Sequence, residues 1–136
     1  MSVAEAGQFY LSVMCKSNKV ADSMNASVEA HPFVLAAADR DTALYRDAIK
    51  ASIQQLSAPP RAWPDVVAAD VNAFLDGLYG ELTHAASAAL STTQQGYFAE
   101  WNAWNNPSAP DPSHVAAQKI RLKLGLSADA VASCGP

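Results

Sequence analysis

The chain has 136 residues, half of them apolar, and a formal net charge of −4 from nine basic and thirteen acidic side chains. The length is that of one domain, and the 28 alanines in the apolar half favour helices packed through small side chains. Composition excludes a collagen-like chain, a charged heptad rod and a dense disulfide scaffold; nucleic-acid binding, which needs a basic footprint against phosphates, finds only the loose Lys119, Arg121, Lys123 set.

Phe9, Val13, Val20, Met24 and Val28 recur at three-to-four spacing, widened by Tyr10, Met14 and Ala21, and predict a first helix from about Ala4 to Glu29. His31-Pro32 then breaks the chain. A second helix is expected to begin there, with proline in the first helical position, or at the Asp39/Asp41 region. It continues to about Leu56 through Leu44, Ala48, Ile49 and Ile53. Asp39, Arg40, Asp41, Arg46, Asp47 and Lys50 read as its solvated charged face.

The stretch from Ser57 to Ala62, with Pro59-Pro60, is a loop. Pro64 opens a third helix, and Asp65 in its first turn suits the helix dipole. Val67, Val71, Phe74, Leu78, Leu82 and Ala85 give it the strongest apolar stripe in the chain, running as far as Leu90. A fourth helix, about Thr92 to Asn105, carries Tyr97, Phe98, Trp101 and Trp104. After a second loop, Asp111-Pro112 reads as N-cap and first residue of a fifth helix. Gly125 stops it in the left-handed conformation, with Leu126 folding back as the apolar contact. Ser127 to Ser133 adds one short turn before Cys134. No β-branched alternation marks a strand. The expectation is an all-α domain over 1–136, an antiparallel four- or five-helix bundle.

Cys15 lies in the first helix and Cys134 near the C-terminus. They form no CxxC and have no adjacent histidine pair, so neither metal nor thioredoxin-type chemistry is indicated. Two readings remain: unpaired thiols, or a disulfide closing nearly the whole chain and pinning a tail with little apolar surface of its own. The disulfide is the favoured expectation, and with it an extracytoplasmic location. No run of 18 apolar residues marks a transmembrane helix, and the opening residues lack the basic and apolar regions of a signal peptide. The expectation is accordingly a secreted or envelope-anchored protein whose export signal is absent from this chain, against a cytoplasmic alternative.

Few residues suggest chemistry. His31, His84 and His114 share no helical ligand spacing, so no metal site is indicated. Asp39/Asp41 and Asp65/Asp70 lie in charge-balanced segments, no nucleophile elbow surrounds any serine, and no catalytic residue is named. Gly77 and Gly80 share one side of the third helix with Ala73 and His84. Interior glycines cost about 1 kcal/mol each, which implies either close approach of another helix or room for a ligand beside His84. Tyr97, Trp101 and Trp104, spaced i, i+4, i+7, either close the end of the core or form a recognition patch. Asn102, Asn105 and Asn106, with Gln94 and Gln95, would suit a carbohydrate or peptide face. Tyr97, Trp101, Trp104, Gly77, Gly80 and His84 are therefore the candidate ligand or partner surface.

The opening run Ala6-Gly7-Gln8-Phe9-Tyr10-Leu11-Ser12-Val13-Met14-Cys15 with Asn18, the Trp63-Pro64 helix start, and Lys123-Leu124-Gly125-Leu126 through Ser133-Cys134 resemble uncharacterised alanine-rich domains of actinobacterial secreted proteins and lipoproteins. In that group proline and a small or apolar residue follow the first cysteine; here Lys16 and Ser17 stand there. The resemblance implies an exported helical domain with one disulfide and implies no activity. The expectation is a non-enzymatic extracytoplasmic helical bundle that serves interaction or envelope structure, without a cofactor. The alternative is a carrier of a small apolar ligand such as haem or a lipid.

Overall fold

The computed structural model describes residues 1–109 and 111–135. Six helices follow one another: α1 Val3–Glu29, α2 Leu35–Ser57, α3 Asp65–Ala89, α4 Gln94–Trp104, α5 Pro112–Lys123 and the short α6 Ala130–Cys134. Among the described residues no strand forms. The all-α bundle expected from the sequence is what the chain builds, with the Ser127–Ser133 turn extended into α6.

Local chemistry sets most helix ends. Ser2 Oγ accepts from the Glu5 backbone N–H while the Ser2 N–H donates to the Glu5 carboxylate, a capping box that starts α1. Thr93 caps α4 through the Gly96 N–H, and Asp111 caps α5 through the Ser113 N–H, with Pro112 in the first turn. Gly125, at φ 69°, ends α5; the Leu126 N–H reaches Arg121 O at 2.8 Å and the Gly125 N–H reaches Leu122 O at 3.2 Å, the paired bonds of a Schellman motif.

The start of α2 differs from both sequence expectations. It begins at Leu35, after an extended Val34 that supplies no side-chain cap. Phe33 packs against Tyr97 and Phe98, with ring centroids 5.6 and 4.7 Å apart, so residues before Leu35 are drawn across α4 rather than wound into α2. The face of α2 also differs. Asp41, expected in the solvated charged face, is buried and takes hydrogen bonds from Ser27 and Arg40. Leu44, expected in the apolar stripe, is exposed.

Helix α3 is the centre of the bundle and packs against α2, α4 and α5, while α1 packs against α2 and α6. Short connections make α1, α2 and α3 antiparallel neighbours. The main core joins Tyr10, Val13 and Met14 of α1, Ile49 and Leu56 of α2, and Val67, Val71, Phe74 and Leu78 of α3, closed by Ile120 and Leu124 of α5. A smaller cluster around Ala38, Ala88 and Tyr97 fills the α4 end. Cys15 and Cys134 are joined in a disulfide across 119 residues of sequence, which ties α6 to α1. Among the described residues no helix is long and apolar enough to cross a membrane.

Candidate functional site

An open cleft of about 500 Å³ lies where α1, α2, α3 and α4 meet the start of α5. One wall is aromatic. Trp101 and Trp104 meet edge-on at 5.5 Å, and Trp104 lies 5.7 Å from Tyr45 of α2. His84 of α3 stacks flat on Trp104, at 6.3 Å and an interplanar angle of 8°. The lining also carries four amides, Asn18 and Asn25 from α1 and Asn105 and Asn106 after α4. Among the described residues the lining holds no lysine or arginine.

The floor is ionisable. Glu81 of α3 is 8% exposed although it is a carboxylate. The Tyr45 hydroxyl donates to its Oε2 at 2.7 Å, and the Ser113 hydroxyl donates towards its Oε1 at 3.4 Å. Asp111 holds one oxygen on the Ser113 N–H at 2.9 Å as the N-cap of α5. His114, one turn into α5 and largely exposed, places Nε2 3.8 Å from Glu81 Oε1 and 3.9 Å from Asp111 Oδ2.

Two carboxyl groups this close, one of them buried, cannot both carry charge cheaply. Burial first, and then the hydrogen bond and negative charge of Asp111, push Glu81 up to about 8. Burial acts on Asp111 in the same sense, but hydrogen bonds from Glu81 and Ser113 and the positive charge of His114 outweigh it and hold Asp111 below the usual carboxylate range. Of the two carboxyls, Asp111 therefore ionises first and Glu81 keeps its proton to higher pH. Burial and the neighbouring Glu81 charge raise the Tyr45 phenol far above its ordinary value, so it remains a donor.

The structure sorts the residues singled out from sequence. Trp101 and Trp104 line the cleft. Tyr97 does not; it is fully buried and its hydroxyl pairs with Thr42 at 2.7 Å. Gly77 is a packing position, because a Cβ there would lie 2.5 Å from Ser113 Cβ and 2.7 Å from Ser113 N. Gly80 faces open space and, with His84 and Trp104, lines a neighbouring groove of about 380 Å³. Cys15 and Cys134 are bonded to each other and do not line the cleft, although Cys134 Sγ lies 3.8 Å from Nδ2 of Asn18, which does.

Tyr45, Glu81, Asp111 and His114 escaped the sequence reading as a site. Glu81 did leave a signal: it falls at helical spacing between Leu78 and Ala85, a carboxylate inside the apolar stripe of α3. No protein-family model, curated protein or solved structure matches this chain.

Proposed function

We propose that this chain is a non-enzymatic, extracytoplasmic helical-bundle domain, of the kind it resembles in actinobacterial secreted proteins and lipoproteins, and that it binds a small neutral saccharide in the Trp101–Trp104 cleft. The observation that carries the reading is the composition of the lining: two indoles, four asparagine amides and the carboxyls of Glu81 and Asp111 around one cleft. A pyranose ring has the matching character, with apolar C–H faces that lie on an indole and hydroxyls that exchange hydrogen bonds with amides and carboxylates. A volume near 500 Å³ suits one or two sugar rings.

The same features weigh against the apolar-carrier alternative. A lipid or haem would lay apolar surface against the asparagines and the Glu81–Asp111 carboxyls of the lining, displacing their water without offering hydrogen bonds in return. Binding is favoured over nucleophilic catalysis because the two hydroxyls beside Glu81 are both committed: the Tyr45 phenol donates to Glu81 at 2.7 Å, and Ser113 is buried against Gly77. The disulfide supports the extracytoplasmic assignment, since such bonds persist in oxidising compartments.

Calorimetric titration with maltose, cellobiose and N-acetylglucosamine tests the reading. Saturable binding of at least one is expected, weakened at least about tenfold in Trp104→Ala. No saturable heat with any of the three, or binding indifferent to Trp104→Ala, overturns it.

A further inference from the structure

We propose that Glu81, Asp111 and His114 form a binding site for a divalent transition-metal ion of the zinc class, with the remaining coordination positions open to the cleft. One donor atom from each of the three lies within 4.8 Å of the others. The facing atoms are Glu81 Oε1, Asp111 Oδ2 and His114 Nε2. Donors about 2.1 Å from a tetrahedral ion stand roughly 3.4 Å apart, so the observed 3.8 and 3.9 Å need only a small inward movement. His114 can make that movement, because its side chain is 81% exposed and makes no hydrogen bond to the described residues.

Three features set this cluster apart from a chance group of acids. Each carboxylate has its far oxygen already fixed: Glu81 Oε2 by the Tyr45 hydroxyl and Asp111 Oδ1 by the Ser113 N–H. Such outer hydrogen bonds orient the facing oxygen towards an ion and are the usual support of a metal ligand; on Glu81 that oxygen carries only the long 3.4 Å contact from the Ser113 hydroxyl. The third donor is an imidazole, which selects zinc-class ions over calcium and magnesium, whose ligands are oxygens. The cluster also sits at the floor of an open cleft, so an ion has a path in and a face left for water or a bound molecule. A cation there would relieve the close approach of the Glu81 and Asp111 carboxyls.

The ion site stands on the three donors alone and does not depend on the saccharide reading. Zinc titration of the untagged, chelator-stripped protein by calorimetry, with no sugar present, therefore tests it separately. One zinc ion per chain is expected. His114→Ala and Asp111→Asn should each weaken binding at least about tenfold. Asparagine is as good an N-cap as aspartate, so Asp111→Asn keeps α5 in place, and circular dichroism checks this. His31→Ala, which changes a histidine outside the trio, should bind like the parent protein. Magnesium at the same concentration should give no saturable heat. No zinc binding by the parent protein, or binding that survives both His114→Ala and Asp111→Asn, overturns the proposal.

Discussion

Ser113 stands directly over Gly77: its Cβ, N and Cα lie 2.5, 2.7 and 2.8 Å from where a side chain at Gly77 would begin. The first turn of α5 therefore rests on the bare backbone of α3. That contact brings Asp111 and His114 beside Glu81, one turn further along the same helix.

Gly77→Ala should destabilise the protein. Overpacking against a neighbouring backbone costs about 1–3 kcal/mol, more than the ~1 kcal/mol that alanine gains over glycine in a helix. Gly80→Ala, with nothing within 4 Å of the new methyl group, should instead stabilise by about 0.5–1 kcal/mol. Urea denaturation of the two variants checks the pair; equal shifts would contradict the packing described.

Removing the Cys15–Cys134 bond with Cys15→Ser/Cys134→Ser should lower stability substantially. Closing a loop across 119 residues restricts the unfolded chain by about 4–5 kcal/mol in the loop-entropy model. Denaturation midpoints with and without the cysteines measure this. Alkylation of denatured, unreduced protein followed by intact mass should show no added label.

In chelator-treated protein, stability should fall as pH rises from about 4.5 to about 8. Unfolded, Glu81 loses its proton near 4.5; folded, burial and Asp111 hold the proton to about 8. Between those values the folded state binds more protons, so raising pH favours unfolding, with a slope of up to about 1.4 kcal/mol per pH unit. Asp111 acts in the opposite sense: its contribution is present above its unfolded value and is lost as pH falls through its depressed folded value. Glu81→Gln retains an acceptor for Tyr45 and a donor for Asp111 but cannot ionise. Its stability should be nearly flat over the upper window, which denaturation at stepped pH would reveal.

Tyr97→Phe should cost about 1–2 kcal/mol without disturbing the cleft. It leaves the hydroxyl of Thr42, itself fully buried, without its 2.7 Å partner. A lower thermal midpoint with unchanged zinc affinity is the expected result. Weakened zinc binding would mean that the small core under α4 positions the site.

The helices were legible because their signals are local. Proline at Pro64 and Pro112, an N-cap at Asp111, a stop at Gly125 and the apolar stripe of α3 act within a turn or two of chain; the structure places helix ends at the first four and the body of α3 on the stripe. The start of α2 was not legible, because Phe33 answers to Tyr97 and Phe98, more than sixty positions along the chain. The burial of Asp41 was hidden for a similar reason, since Ser27 of α1 covers it.

The site divides along the same line. Its aromatic wall was readable, as Trp101 and Trp104 sit within one helix. The glycines of α3 signalled close approach or an open space, and the structure shows both: Gly77 packs against Ser113, and Gly77 and Gly80 both line the groove beside His84. The ionisable floor draws Tyr45, Glu81, Asp111 and His114 from three helices. By itself the sequence determined an all-helical bundle, most of its helix ends and the position of the indoles, because periodicity and capping are short-range properties. Only the tertiary structure decided which carboxylates meet, which histidine joins them and which glycine is filled. Those outcomes depend on how α5 seats on α3, where the absence of a side chain at Gly77 lets two backbones touch.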